Sequence, residues 1–435
     1  MNLKLLTILI IAATIRAGAF FYPHDSWDQR YYASLAMKLD SGGFKEYNLQ
    51  NVVFNKLPGT EGVEISKDYH SDHTLLGDFR KHGFTYYDEP LFYEPPLFPY
   101  LIKFSHDVFA QHKKFVYIDH QTWIESQKNG SLHFFRNSFY NSIVPFTFSL
   151  LSIVIIFWFC SRYINEDVAF YSSLFLTVSP VHVLTATKVW TDSIGLLFYC
   201  STLFFFYIAY KKNSDFNMIL SGIFCSLAVL SRISDLSIIF IVVIYRLYLY
   251  KDNFRKSFWG AIDKKIIIFF GLFVLLTFPW FSTTTRIFGS PLHLPYQKNF
   301  SDLFPFVNFE LHRPWFTYIV DIMVQNPIWL LFLLFPFYPL ENELKFLIIV
   351  WSAVPLLILT ILPMILQVPI HDIYALPVYP ALSIGAGYVF YKINKTSTLK
   401  ALPFKLLMLI SVLWSISLSF KYAYVLLADC INVPL

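Results

Sequence analysis

Long apolar runs, separated by short polar turns and two longer mixed segments, dominate the hydrophobic pattern of this chain. The runs are long enough to cross about 30 Å of hydrocarbon as helices, although the pair between residues 217 and 250 is short. The predicted spans cover residues 4–20, 139–161, 168–184, 191–210, 217–232, 234–250, 264–283, 326–340, 346–366, 374–391 and 401–428. The pattern therefore predicts an all-α polytopic membrane protein with about 11 transmembrane helices.

Two longer segments, residues 21–138 and 284–325, interrupt the apolar runs. Both mix helical patterns with polar stretches that contain proline and glycine. We interpret them as packed loops of a single membrane domain over residues 1–435, and the first loop is expected to carry amphipathic helices. The sequence contains no internal repeat and no related halves.

Basic residues predict the orientation of the chain. They collect at one set of span ends, as at Lys211 and Lys264, whereas the short turns at the other ends hold only Lys188 and Arg232. Since cytoplasmic loops carry the excess of lysine and arginine, we expect a cytoplasmic N-terminus, two extracytoplasmic loops and a plasma-membrane location. A cleaved signal peptide is the alternative for the first run, but Arg16 interrupts its cleavage region.

Composition excludes two classes of protein. With 56% hydrophobic, 20% aromatic and 14% charged residues, the chain is too apolar for a soluble domain of this length. The net charge of +5 follows from the predicted cytoplasmic loops, so no nucleic-acid partner is expected. The four cysteines are scattered, three of them within apolar runs, and predict neither a disulfide framework nor a metal site.

The stretch HDSWDQRYYASLAMKLDSGG, residues 24–43, predicts a well-delimited helix just after the first span. Ser26 and Gln29 form a capping-box pattern, and a glycine pair ends the helix, which covers residues 27–41. Its apolar stripe suits a helix that lies along the membrane surface. Asp28 falls in the first turn, where the helix dipole favours the ionised carboxylate. This suits a general base, but simple stabilisation of the helix start remains an alternative.

A second acidic stretch, YYDEPLFYEPPLFPYLIKFSHDVF, precedes another predicted amphipathic helix. Glu94 stands directly before Pro95 and Pro96, which begin that helix. The glutamate could hold a sugar hydroxyl or a cation, or it could be a solvated loop acid. The histidines of this loop are too few and too loosely spaced for a tetrahedral metal site. We therefore predict no metal and no cofactor, although a divalent cation is possible.

Five loose motifs occur in a fixed order along the chain. They are D-x-x-Y-Y-x-x-x-A, PPLFPYL, LTVSPVHVLTATKVWTDS, PWFSTTTRIFGSP and HDIYALPVYPALSIGAG. Together they resemble the GT-C superfamily of glycosyltransferases. The resemblance is greatest to the branch that contains protein O-mannosyltransferases and aminoarabinose (lipid A) transferases.

The resemblance implies transfer of one sugar from a polyprenyl-phosphate carrier to an acceptor hydroxyl on the extracytoplasmic face, with inversion. The acceptor would be a protein, a lipid or a glycan, and the lipid bilayer holds the enzyme. Asp28 matches the family's catalytic aspartate, which acts as general base on the attacking hydroxyl. Gln29 stands where the family often has glutamate, which puts a two-carboxylate role at this position in doubt.

The leaving phosphate needs cations near the membrane surface. The candidate donor-phosphate ligands are Arg16, Lys188, Arg232 and Arg286. Arg232 is the strongest, because the LSR triplet occupies the position where the family usually has a basic residue, but a local pair with Asp235 is an equal alternative. Arg16 and Lys188 could instead simply reach to the interface.

The resemblance also implies contacts to the sugar or the acceptor. The candidates are Tyr31, Tyr32, Glu94, Asp192, His371 and Tyr374. Asp192 matches an acidic position at the outer start of the fourth span, where structural anchoring is the alternative. Tyr374 fits the family's pattern, whereas Ile373 replaces its basic residue. A transporter or flippase of a lipid-linked solute is the rival class, but the sequence lacks the related halves that such proteins often have.

Overall fold

The computed structural model describes residues 2–21, 32, 35–36, 39, 43–47, 53–54, 85–86, 95–109, 132–251, 262–289, 291, 317–366, 372–395 and 402–421. These residues are almost wholly helical, as predicted. The difference is one antiparallel pair of two-residue strands in the first loop, β1 (Val53–Phe54) and β2 (Thr85–Tyr86).

The α-helices of the described part are α1 (Leu3–Arg16), α2 (Gly18–Phe21), α3 (Leu97–Phe109), α4 (Leu132–Tyr163), α5 (Glu166–Thr177), α6 (Pro180–Thr187), α7 (Asp192–Lys211), α8 (Asp215–Ser231), α9 (Ser237–Leu249), α10 (Lys264–Phe288), α11 (Thr317–Gln325), α12 (Asn342–Leu366), α13 (Tyr379–Lys395) and α14 (Leu402–Phe420). Tighter 3₁₀ helices cover Gly43–Glu46, Ile233–Leu236, Pro327–Phe337 and Asp372–Val378. Each of the predicted spans overlaps one or more of these helices.

Length and apolar composition identify an integral membrane protein. Within the described residues, 5 helices are long and apolar enough to cross a membrane, and up to 7 spans result if each of two bent helix pairs is one span. The 5 are Asn141–Tyr163, Asp192–Lys211, Lys264–Arg286, Asn342–Ile361 and Leu402–Phe420. The count of eleven therefore remains a prediction.

Both bent pairs break at a residue that precedes proline. Helices α5 and α6 meet at 61°, and the segment Ile319–Gln325 meets the 3₁₀ helix Pro327–Phe337 at 113°. Ser179 has an extended backbone before Pro180, with φ −68° and ψ 120°. Proline has no N–H and disfavours the helical conformation of the residue before it, which explains both breaks. The break at Ser179 was not predicted, because the apolar run 168–184 continues through it, whereas the second break coincides with the predicted start of the span at residue 326.

The core of the bundle forms around α7. The rings of Phe159 on α4 and Phe204 on α7 stack with their centroids 3.8 Å apart. Helix α13 lies close to α5 because Gly387 has no side chain: a Cβ there would be 2.5 Å from Ser172 Oγ. Small residues allow such close helix contacts in membranes. Trp351 on α12 donates its indole N–H to the Pro377 carbonyl (2.7 Å), which holds the 3₁₀ helix Asp372–Val378 in place.

Ion pairs tie helix ends together at one end of the bundle. Lys4 at the start of α1 pairs with Asp167 at the start of α5, and Lys264 at the start of α10 pairs with Asp215 at the start of α8. Arg246 near the end of α9 also pairs with Asp263. The charged groups discussed next lie at the opposite end of α7 and α8.

The first loop packs onto the bundle through an apolar stripe. Tyr32, Leu35, Ala36 and Leu39 are helical and buried, in agreement with the predicted helix over residues 27–41. Their spacing places them on one helix face. They share a hydrophobic cluster with residues of α3, α7 and α10, namely Phe98, Ile102, Ile194 and Trp280. The stripe therefore packs against protein in the described structure.

Candidate functional site

A buried ion pair joins the C-terminal end of α8 to the N-terminal end of α7. Arg232 ends α8, donates its backbone N–H to the Ala228 carbonyl, and has an extended backbone that turns the chain into the 3₁₀ helix Ile233–Leu236. Its Nη1 lies 2.6 Å from Oδ1 of Asp192, the first residue of α7. The two side chains are only 9% and 6% exposed.

Helix electrostatics favour this arrangement. Asp192 lies in the first turn of α7, where the helix end is positive, and Arg232 lies at the end of α8, where the helix end is negative. Removing two charges from water is costly unless the geometry is good and both are paired. The charges are therefore held at the helix ends, and removing the arginine would leave Asp192 buried without its cation.

An aromatic face covers the arginine. The guanidinium carbon of Arg232 lies 5.5 Å from the ring centroid of Tyr374, which belongs to the 3₁₀ helix Asp372–Val378. This distance is within the range of a cation–π contact. The structure thus brings together three residues predicted from distant parts of the sequence.

Asp235 lies beside this pair, although the ion pair predicted as an alternative for Arg232 goes to Asp192 instead. Asp235 is 1% exposed. Its position depends on Gly195 of α7: a Cβ at residue 195 would lie 2.5 Å from Asp235 Oδ2 and 3.7 Å from Arg232 Cβ. Sequence reasoning missed Gly195, whose absent side chain allows the contact. We call Asp192, Arg232, Asp235 and Tyr374 the Arg232 cluster.

Arg16 lies in a different buried environment. Its guanidinium donates to the carbonyls of Ala12 and Thr177, both at 3.1 Å, and contacts His182 Nδ1 at 2.9 Å. Thr177 is the last residue of α5, so the arginine supplies a donor to a carbonyl left unpaired at the helix break. These contacts give Arg16 a structural function, and its role as a phosphate ligand remains a prediction.

His182 completes this second site. His182 Nδ1 lies 2.9 Å from Arg16 Nη2 and 3.1 Å from the Leu176 carbonyl oxygen. Nε2 lies 3.1 Å from Ser152 Oγ, and the Ser152 hydroxyl donates to the Ser149 carbonyl at 2.7 Å. We call Arg16, His182 and Ser152 the Arg16 network. His182 was not predicted, although a histidine within an apolar run was the available signal.

The remaining candidate cations have different surroundings. Lys188 lies with its ammonium 4.4 Å from the ring centroid of Trp190, between α6 and α7. Arg286 is exposed in the last turn of α10, which ends at Gly289 in the left-handed conformation (φ 73°). Their roles as donor-phosphate ligands remain predictions.

Several predicted residues lie outside the described part of the chain, namely Asp28, Tyr31, Glu94 and His371. Tyr32 is described, and its ring meets Phe98 edge-on with centroids 4.8 Å apart. The same hydrophobic cluster includes Ile194, two residues after Asp192. The stripe that follows Asp28 in sequence therefore packs against the helix that begins with Asp192.

Within the described residues, no group of three or more His, Cys, Asp and Glu side chains could hold a metal ion. His106 of α3 instead forms a buried hydrogen bond with Asn141 Oδ1, with Nε2 at 2.8 Å. A metal site involving the other residues remains untested.

The sequence has no match among curated proteins. A family profile, described as dolichyl-phosphate-mannose-protein mannosyltransferase, matches residues 133–282. The match runs from α4 to α10 and contains Asp192, Arg232 and Asp235.

Solved structures share the fold over almost the whole chain. ArnT from Cupriavidus metallidurans, crystallised with undecaprenyl phosphate, has a TM-score of 0.55 at 12% identity, and the match covers 98% of this chain and 76% of that one. The archaeal oligosaccharyltransferase AglB from Archaeoglobus fulgidus, in complex with an inhibitory peptide and a dolichol-phosphate, has a TM-score of 0.59 at 11% identity. That match covers 97% of this chain and 56% of AglB.

The helical architecture and these matches define a polytopic membrane protein with the GT-C fold. The resemblance predicted from the five motifs, to GT-C glycosyltransferases of the protein mannosyltransferase and ArnT branch, is thereby confirmed.

Proposed function

We propose that this protein is a membrane glycosyltransferase that transfers a single sugar from a polyprenyl-phosphate-linked donor to an acceptor hydroxyl. The observation that carries the proposal is the Arg232 cluster, a buried cation paired at a helix junction and covered by an aromatic ring. The shared fold with ArnT bound to undecaprenyl phosphate and with AglB bound to a dolichol-phosphate supports a lipid-linked donor.

The proposed reaction is an inverting displacement. The acceptor oxygen forms a bond to the anomeric carbon while the bond from that carbon to the phosphate oxygen breaks. Asp28 accepts the proton of the attacking hydroxyl, and the electron pair of the broken bond leaves on the lipid phosphate. Arg232 stabilises the charge that develops on this phosphate, since a fixed cation in a water-poor site acts strongly on it.

The remaining assignments extend this picture. Arg16, Lys188 and Arg286 are further candidates for the phosphate, and Arg286 has the most exposed side chain of the three. Tyr31, Tyr32, Glu94, His371 and Tyr374 are candidates for contacts to a hexosyl or pentosyl group or to a protein, lipid or glycan acceptor. Because Asp192 already pairs with Arg232, we assign it to holding the arginine in place.

The proposed orientation follows the distribution of basic residues. The N-terminus is cytoplasmic, and the Arg232 cluster lies at the extracytoplasmic end of α7 and α8, opposite the lysine-rich end of the bundle. The plasma membrane is the proposed location.

A second candidate is a transporter or flippase of a lipid-linked solute. The two bent helix pairs, at 61° and 113°, favour it, because transporters commonly bind substrate where helices are interrupted. The two candidates differ in one respect: a transporter moves its solute unchanged, whereas a glycosyltransferase breaks the bond between sugar and phosphate.

The experiment is sugar transfer by the purified protein in lipid nanodiscs, with a panel of labelled polyprenyl-phosphate sugars and mixed acceptors. We expect one donor to be consumed and Asp28→Asn to abolish turnover while donor binding remains. Asp215→Asn, which changes an exposed acid at the other end of the bundle, is the matched control. If no donor is consumed but labelled lipid crosses the membrane of proteoliposomes intact, the protein is a transporter. An active Asp28→Asn variant would refute the base assignment.

A further inference from the structure

The 3₁₀ helix Asp372–Val378, which carries Tyr374, is held by a side chain from another helix. A 3₁₀ helix pairs each carbonyl with the N–H three residues further on, but residue 380, which would serve Pro377, is a proline and has no N–H. Trp351 of α12 supplies a donor instead, with its indole Nε1 2.7 Å from the Pro377 carbonyl oxygen. The Trp351 side chain is fully buried, so water cannot replace this hydrogen bond.

The ring of Trp351 also packs against α7, the helix that begins with Asp192. Tyr199 stacks on it with the ring centroids 6.2 Å apart, and Phe204 meets it edge-on with centroids 5.6 Å apart. Both aromatic residues belong to α7. Trp351 therefore joins the helix that begins with Asp192 to the 3₁₀ helix that carries Tyr374.

The guanidinium of Arg232 lies between groups that these two helices carry. Its Nη1 is 2.6 Å from Asp192 Oδ1, and its central carbon is 5.5 Å from the ring centroid of Tyr374. The carboxylate holds one nitrogen, and the ring limits rotation of the guanidinium about that contact. A shift of the 3₁₀ helix away from α7 would remove this limit and leave the ion pair in place. The orientation of the cation therefore depends on the spacing of the two helices.

We propose that Trp351 is a positioning residue for sugar transfer, which orients Arg232 toward the leaving phosphate through the 3₁₀ helix that carries Tyr374. This inference rests on the proposed function. Trp351 contacts neither the donor nor the acceptor in this account. Since a displacement of about 1 Å in a reacting group can cost roughly 100-fold in rate, one hydrogen bond at this place has a large effect on turnover.

Trp351→Phe tests the proposal, because it keeps an aromatic ring beside Tyr199 and removes the N–H. We expect kcat per folded molecule in nanodiscs to fall about tenfold. The KM for the lipid-linked donor should change by less than about threefold, since Arg232 acts on charge that develops as the phosphate leaves. Trp414→Phe is the matched control: this indole also donates to a backbone carbonyl, that of Val324 at 3.2 Å, and its loss should leave kcat unchanged.

A double-mutant cycle shows whether Trp351 acts through Tyr374. Tyr374→Leu removes the ring over Arg232 and should by itself lower kcat about tenfold. Adding Trp351→Phe to this variant should then lower kcat by less than about twofold, because the element that Trp351 holds no longer contacts the guanidinium. A tryptophan with a purely structural role would give effects that multiply.

Amide hydrogen exchange measures the structural part of the proposal without any substrate. Trp351→Phe should speed exchange in the 3₁₀ helix Asp372–Val378 by roughly fivefold or more, since its anchor is lost. Trp414→Phe should leave exchange in this helix unchanged. Thermal unfolding of every variant gives the fraction of folded protein.

The outcomes are distinct. If the unchanged protein transfers no sugar, the proposed function fails and the positioning role fails with it. If sugar is transferred, but Trp351→Phe leaves kcat or the exchange of the 3₁₀ helix unchanged, the role of Trp351 is overturned while the proposed function stands. A tenfold further loss on the Tyr374→Leu background overturns it as well. So does an unchanged kcat for Tyr374→Leu alone, a result that decides the matter even where Trp351→Phe does not fold.

Discussion

Two buried arginines, Arg16 and Arg232, lie at helix ends in this protein, and their partners differ in kind. Arg16 donates to backbone carbonyls and contacts a histidine, whereas Arg232 pairs with a carboxylate and faces an aromatic ring. The first set of contacts satisfies a carbonyl left unpaired at a helix break. The second set holds a charge in a fixed orientation between α7, α8 and the 3₁₀ helix that carries Tyr374. Burial of an arginine therefore does not by itself identify a binding site, because its partners determine its role.

The largest expected effect is that of Arg232→Gln. The substitution leaves Asp192 buried and unpaired, so we expect about 3–5 kcal/mol lower stability. Sugar transfer by the remaining folded protein should fall by roughly 100-fold or more, because the leaving phosphate loses its cation. Thermal unfolding and turnover per folded molecule measure the two effects. The double variant Arg232→Gln with Asp192→Asn should recover stability but not activity, and recovery of activity would contradict the assignment.

Arg16→Gln should lower stability without lowering turnover per folded molecule. The substitution removes the donors to the Thr177 and Ala12 carbonyls, for which we expect a loss of about 1–3 kcal/mol. Thermal unfolding measures this loss, and the transfer assay corrected for folded protein measures turnover. A large fall in turnover with a normal unfolding temperature would instead support Arg16 as a phosphate ligand.

Gly195→Ala should have an intermediate effect on stability. A Cβ would meet Asp235 Oδ2 at 2.5 Å, so the carboxylate must shift, at a cost of about 1–3 kcal/mol. Gly271→Ala, made in open space on α10, should cost nothing and could stabilise the helix slightly. Equal unfolding temperatures for the two variants would show that the contact with Asp235 is absent.

Ser152→Ala should have the smallest effect. It removes the hydroxyl that lies 3.1 Å from His182 Nε2 and donates to the Ser149 carbonyl, for which we expect a loss of about 1 kcal/mol. Turnover should be unchanged, since the Arg16 network supports the helix break. Chemical denaturation of the variant and of the unchanged protein measures this difference in the free energy of unfolding. A change in donor affinity would assign the network to the binding site.

The apolar helices could be predicted from the sequence, because apolar runs of this length form helices in a membrane. The break at Ser179 could not be predicted, since the hydrophobic pattern continues across it and only the following proline marks the position. The orientation of the helices in the membrane was predicted from the distribution of lysine and arginine alone. That prediction needed no knowledge of which residues are in contact.

The candidate site was predicted in part. Asp192, Arg232 and Tyr374 were each named from the sequence, and the structure places them together. Their pairing was not predictable, because Asp235 is near Arg232 in sequence whereas Asp192 reaches it only through the packing of α7 on α8. Gly195 and His182 were missed for the same reason: their importance lies in contacts with residues far along the chain.

The close approach of Gly195 and Asp235 also limits how this sequence can diverge. A Cβ at residue 195 and a carboxylate at residue 235 exclude each other in this packing. Among descendants of a common ancestor, the two positions must therefore change together, with the acid lost before or along with the glycine. A relative with a larger residue at 195 and an aspartate still at 235 would need a different spacing between these two helices.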